Sequence, residues 1–197
     1  MNERPLTTDH RPPSAVGGQS STIIIGLGNP ILGDDGVGWR VAETVRKRLQ
    51  MAGLRLLIDD ETPRSTVSHP ELAVEVDCFA LGGLSLMERL VGYDRAIIVD
   101  AVATGQPPGT VSRFRLDELP DFSTAHTSAA HDTSLQNALS VGRTMGAHLP
   151  GEVLVVGVEA QSVYDFSETL TPPVAEAVPV AARLVLELLE DKVHGLP

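Results

Sequence analysis

The sequence predicts an α/β protein built on a single, mostly parallel, twisted sheet sandwiched between helices, and three observations predict it. First, three short runs, Thr22–Leu27, Arg95–Val102 and Val153–Val158, are apolar and rich in β-branched residues, the composition of strands buried on both faces. Second, segments between and after them repeat apolar residues at helical spacing, as in Val37, Val41, Val45 and Leu49. Third, glycine and proline punctuate the junctions, as at Gly28-Asn29-Pro30. Apolar strands alternating with amphipathic helices give a three-layer αβα arrangement. Its strand-to-helix loops gather along one edge of the sheet, where ligand sites form.

Residues 1–20 are rich in Pro, Thr, Ser, Gly and Arg without periodicity and read as a disordered tail, leaving residues 21–197 as one domain. The first strand begins at Thr22, and the helix that follows is expected to end at Gly53. Leu54–Ile58 reads as a short strand. Asp59–Pro70 is polar, carries two prolines and reads as a loop. Leu72–Val76 reads as a strand that Asp77 ends. Leu84, Met87, Leu90 and Val91 mark a helix before the strand Arg95–Val102. Thr110–Leu116 alternates and reads as a half-exposed antiparallel edge strand. Leu135 and Leu139 belong to a helix, Val153–Val158 is the third buried strand, and Pro172-Pro173 opens a last helix that Pro179 is expected to kink. The arrangement is of the phosphorylase/hydrolase-like type.

Composition narrows the function. The chain has 197 residues, a net charge of −11 and a pI near 4.9. An acidic surface repels phosphate backbones, which argues against nucleic acid as a partner. No apolar run reaches the roughly 20 residues that span a bilayer, so no membrane association is expected. One cysteine, Cys78, excludes an internal disulfide and a cysteine-rich zinc site, and no base stands beside it to make it a nucleophile. The expectation is a cytoplasmic protein, working as a monomer.

The informative segment is the loop after the first strand, Gly26-Leu27-Gly28-Asn29-Pro30-Ile31-Leu32-Gly33-Asp34-Asp35-Gly36-Val37-Gly38. A dinucleotide fingerprint fails because its third glycine falls on Ile31. A P-loop fails because Asp34-Asp35 replace the lysine and hydroxyl residue, placing carboxylates where a phosphate would sit. Two adjacent acids suit a divalent cation, or one of them caps backbone N–H groups while the other faces the cleft. Asp77 and Asp100 close two further strands toward the same edge, and His131 lies just before a helix. Two aspartates and one histidine leave coordination positions open for water or substrate.

The thirteen-residue loop resembles the opening signature of the [NiFe]-hydrogenase maturation endopeptidases. The likeness continues in the same order through Gly83-Leu84, Ile97-Ile98-Val99-Asp100-Ala101, His131 with Leu135 and Leu139, Glu159, and Ser167-Glu168-Thr169-Leu170. It implies an endopeptidase that removes the C-terminal extension of a hydrogenase large-subunit precursor after nickel insertion. It further implies that Asp35, Asp77 and His131 are the catalytic and metal-contacting residues, with nickel supplied by the substrate and no organic cofactor. The family's Gly-Gly-Thr-like turn after the second acid is replaced here by Cys78-Phe79-Ala80-Leu81. Two alternatives stay open: a non-catalytic nickel- or precursor-binding chaperone, and a metal-dependent peptidase with another substrate, which that departure motivates. Gly-Leu-Gly-Asn-Pro also opens peptidyl-tRNA hydrolases, but the residues that follow it there are absent here.

Overall fold

A run such as Thr22-Ile23-Ile24-Ile25 offers no polar face to water, so the strand that contains it must be covered on both sides. The chain, described by a computed structural model over residues 20–52, 55–58, 65–69, 72–118 and 134–191, places β1 (Ser20–Leu27) in that position. Ile24 faces one hydrophobic core, and Ile23 and Ile25 face the other. The tail expected over residues 1–20 lies outside the described residues except for Ser20, the first residue of β1.

Among the described residues the sheet has seven strands: β1, β2 (Arg55–Ile58), β3 (Ser65–His69), β4 (Leu72–Phe79), β5 (Arg95–Val102), β6 (Val111–Arg115) and β7 (Glu152–Glu159). Their order is β2-β3-β4-β1-β5-β7-β6. β4, β1, β5 and β7 run parallel. β2 and β3 extend one side as an antiparallel pair, and β6 closes the other side antiparallel to β7, as its alternation predicts. α1 (Val37–Met51) and α4 (Pro172–Glu190) cover one face, and α2 (Gly83–Leu90) and α3 (Leu135–Thr144) cover the other. The stripe Val37, Val41, Val45 and Leu49 of α1 is buried, worth about 1.5–3 kcal/mol per side chain.

Two expectations change. Residues 65–69 form a strand rather than part of a loop. Ser65-Thr66-Val67-Ser68-His69 holds two β-branched residues at its centre, and near a sheet edge pairing with β4 suffices without an apolar face. β4 does not stop at Val76 but continues through Asp77 and Cys78 to Phe79, because its backbone pairs with β1 all the way to Leu27. α1 is capped by Ala52, and Gly53, the expected terminator, lies outside the described residues. α4 runs through Pro179 as one helix.

Among the described residues, no helix is long and apolar enough to cross a membrane.

Candidate active site

The loop between β1 and α1 is shaped by close backbone approach. Gly28 has φ of 116°, and a Cβ there would fall 1.9 Å from the Asp35 carbonyl oxygen. At Gly38 a Cβ would fall 2.3 Å from the Leu27 oxygen and 2.4 Å from the Val99 oxygen. The glycines therefore seat the start of α1 directly on the ends of β1 and β5. Phosphate binding is not needed to explain them.

The two adjacent acids separate completely in role. Asp34 is fully buried. Its Oδ2 accepts hydrogen bonds from the N–H of Gln161 at 2.9 Å and of Ser162 at 3.0 Å, and from the Thr171 hydroxyl at 2.9 Å. Its Oδ1 accepts from the Thr171 N–H at 2.7 Å. The backbone adds to this latch: Asp34 N–H donates to Ser162, and Gly33 N–H to Ser167. The first loop is thereby fastened to the segment 160–171 that follows β7. Asp35 is half-buried, and its Oδ2 accepts from the Asn29 N–H at 2.6 Å. Among the described residues its Oδ1 has no partner.

Asp100 projects from β5 beside this turn and is also half-buried. Burial, and then the negative charge of Asp35, push its carboxyl up to about 7.

Asp77 is placed otherwise. It is 5% exposed, and Phe79 follows it two residues along the strand, packed with Leu27 against the α2–α3 side. Its Oδ1 accepts from the Cys78 N–H at 2.8 Å, and its Oδ2 accepts from Arg89 Nε of α2 at 2.6 Å. Arg89 also donates to Glu75, which accepts a further hydrogen bond from the Tyr93 hydroxyl. This buried cluster escaped the reading of the sequence. Its signal was two acids two residues apart within an apolar strand, with an arginine in the last turn of the next helix.

His131 lies outside the described residues; the chain resumes at Ser134, whose hydroxyl accepts from the Asn137 N–H and caps α3. Among the described residues, no three His, Cys, Asp or Glu side chains converge into a metal-binding group. Cys78 is partly buried; burial, partly offset by Arg46, pushes its thiol up to about 11, so it stays protonated and a poor nucleophile at neutral pH.

Glu159, at the end of β7, ties down the turn after β5. It accepts from the Thr104 N–H at 3.0 Å, the Thr104 hydroxyl at 2.7 Å and the Gly105 N–H at 2.8 Å. Burial opposes its charge, but these donors outweigh burial and hold the carboxyl below its ordinary 4.5. A depressed acid stabilises the fold above its unfolded value and loses that contribution as pH falls through the folded one. Glu159→Gln is therefore expected to be less stable than wild type at pH 7, with the difference shrinking below about pH 4.5 in chemical unfolding curves.

Loops on this edge and the first turn of α2 also carry exposed apolar side chains: Ile31, Leu81, Leu84, Tyr164 and Phe166. Large exposed apolar groups along one edge of a sheet suit a protein partner.

A family model described as hydrogenase maturation protease matches residues 79–188. That span includes Asp100 and His131 but neither Asp35 nor Asp77. The chain is 30% identical over 170 residues to the hydrogenase expression/formation protein HoxM of Azotobacter vinelandii, spanning 86% of this chain and 72% of that one. It is 29% identical over 167 residues to the hydrogenase expression/formation protein HupD of Thiocapsa roseopersicina, spanning 85% of this chain and 66% of that one. Among solved structures, the hydrogenase maturating endopeptidase HybD from E. coli superposes with a TM-score of 0.64 at 25% identity, covering 87% of this chain and 93% of that one.

Proposed function

The chain belongs to the hydrogenase maturation protease family, and on that premise we propose that it is the endopeptidase that removes the C-terminal extension of a [NiFe]-hydrogenase large-subunit precursor after nickel insertion. The observation that carries this reading is the division of labour in Asp34-Asp35. One carboxylate latches the loop, which frees the next to present an oxygen that has no partner among the described residues, beside Asp100.

The donor set suits a divalent cation. Asp35 Oδ1 is an open carboxylate oxygen, and oxygen donors accept hard or borderline metals. With fewer than three ligands converging among the described residues, the remaining coordination falls to His131 and to the substrate. Nickel carried by the precursor is then part of the substrate, and a precursor without it completes no coordination set. The nickel supplies Lewis acidity toward the scissile carbonyl or a water. The protein's own residues do the rest. Asn29 N–H fixes the rotamer of Asp35, and the Asp34 latch holds the loop against the segment 160–171. The apolar rim formed by Ile31, Leu81, Leu84, Tyr164 and Phe166 receives the precursor. Asp77 joins the metal set only by leaving Arg89.

The test is the intact mass of a large-subunit precursor, nickel-loaded and nickel-free, before and after incubation with this protein. Loss of one C-terminal peptide from the loaded form alone is expected. An uncut precursor that remains bound would replace the reading with a chaperone, and cleavage regardless of nickel would remove the checkpoint.

A further inference from the structure

We propose that Tyr164 and Phe166 anchor a cationic, apolar stretch of the precursor chain beside the bond that is cut. The inference rests on the processing function above. It names the part of the substrate that this edge receives and the side chains that select it.

A fixed backbone and exposed side chains carry it together. The segment 160–171 is fastened to the loop that holds Asp35 by a short parallel bridge between Leu32 and Ser167. There the Gly33 N–H donates to the Ser167 carbonyl at 2.7 Å, and the Ser167 N–H donates to the Ile31 carbonyl at 3.0 Å. The Asp34 N–H adds a bond to the Ser162 carbonyl at 2.8 Å. Val163 and Leu170, on either side of the bridge, pack against the hydrophobic core. Between these anchors Tyr164 and Phe166 stand 78% and 86% exposed, with Ile31 at 46%. At that exposure the two rings contribute little to the fold. Aromatic side chains on a backbone already fixed lose little freedom on binding, which suits them as interface anchors.

Charge names the occupant. The loops that follow β1, β4, β5 and β7 on this edge are residues 28–36, 80–82, 103–110 and 160–171, and they contain no lysine or arginine. Asp165 and Glu168 flank Phe166 in sequence, and both are exposed. Arg40 of α1 reaches the segment, but its Nη2 donates to the Glu168 carbonyl at 3.1 Å and its Nη1 lies 3.7 Å from Glu43. Rings set among carboxylates favour a chain that carries lysine or arginine beside apolar residues. Its cations meet the carboxylates and the ring faces, and its apolar side chains cover the rings. The same groups repel an acidic segment, so the edge also selects against wrong partners. Because the segment is bridged to the Asp35 loop, the stretch it holds lies beside the scissile bond.

The double variants Tyr164→Ser/Phe166→Ser and Asp165→Asn/Glu168→Gln are compared with wild type. Processing of the nickel-loaded precursor is followed by timed intact mass over a range of precursor concentrations, at about 50 mM and about 300 mM sodium chloride. Binding of the uncut precursor is read by biolayer interferometry, and folding by thermal unfolding. The aromatic variant is expected to raise KM at least about tenfold with kcat within about threefold, and to melt within about 2 °C of wild type. Wild-type KM is expected to rise at least about threefold between the two salt concentrations. The acid variant is expected to begin about threefold higher and to lose most of that dependence. A precursor whose lysines and arginines within about ten residues of the cleaved bond, about 33 Å of extended chain, are replaced by glutamine should reproduce the raised KM with wild-type enzyme. Should the aromatic double variant fold poorly, Phe166→Ser takes its place. An aromatic variant with wild-type KM and binding overturns the anchor. A wild-type KM indifferent to salt overturns the cationic occupant, as does a precursor that has no such cations or is unaffected by their loss. If wild type binds the precursor without cutting it and the aromatic variant binds at least about tenfold more weakly, the processing function falls and the anchor stands. If wild type neither binds nor cuts, both fall.

Discussion

Replacing Asp34 with alanine is expected to lower folding stability by about 3–5 kcal/mol, since three backbone N–H groups lose their acceptor in a dry site. Those groups belong to Gln161, Ser162 and Thr171, and the Thr171 hydroxyl loses its acceptor with them. Each orphaned buried donor costs about 1–3 kcal/mol, and neighbouring losses do not simply add. Asp34→Asn should cost less, because the amide keeps one acceptor oxygen. Asp35→Ala, one residue away, is expected to change stability by no more than about 1 kcal/mol, as a half-buried group with one hydrogen bond. Its effect falls on chemistry, with a processing rate lower by a factor of about 10²–10⁴. Urea unfolding followed by circular dichroism, paired with timed mass spectrometry of the precursor, separates the two outcomes. Equal stability of Asp34→Ala and wild type would mean that the latch to the segment 160–171 contributes nothing. Equal processing by Asp35→Ala would remove Asp35 from the site.

That two adjacent aspartates do opposite work could be anticipated only as alternatives from the sequence. The loop motif gave the position of a site, because Gly26 to Gly38 joins a buried strand to a helix and such loops share one edge. The partners of Asp34 are more than 120 residues away, at Gln161, Ser162 and Thr171, and no local pattern announces them. The buried strands were legible for a simple reason: a continuous β-branched run such as Ile23-Ile24-Ile25 has few other places to go. β3 was not legible, since Ser65–His69 is largely polar and takes its strand form from pairing with β4 rather than from its own composition. The fate of Asp77 was hidden for a related reason. An acid after an apolar run looks like a strand end, yet pairing with β1 carries β4 on to Phe79 and leaves the Asp77 carboxylate buried against Arg89. A two-residue error in a strand end shifts an acid by about 6–7 Å, enough to move it from cleft to interior.

The buried position of Asp77 makes Arg89 the residue whose loss should be felt most on the other side of the sheet. Arg89→Met is expected to destabilise the protein by about 3–5 kcal/mol, the usual cost of breaking a buried ion pair from one side. Burial works against the Arg89 charge, but Glu75, Tyr93 and Asp77 outweigh it and hold the guanidinium above the ordinary arginine range. Burial and the Glu75 charge also push the Tyr93 hydroxyl above the ordinary phenol range, keeping it a donor to Glu75. Methionine fills most of the arginine stem's volume, so the loss comes mainly from two acids stranded at 5% and 6% exposure. Adding Glu75→Gln and Asp77→Asn to Arg89→Met removes both stranded charges and is expected to restore at least about half of the lost stability, since a buried cluster neutralised as a whole costs far less than one broken from one side. No recovery in urea unfolding would mean that arginine packing, rather than charge, is what the cluster supplies. The triple variant also bears on the site. If Asp77 serves only to hold Arg89, the folded triple variant should still process the precursor at close to the wild-type rate, whereas an Asp77 that contacts the substrate would take the activity with it.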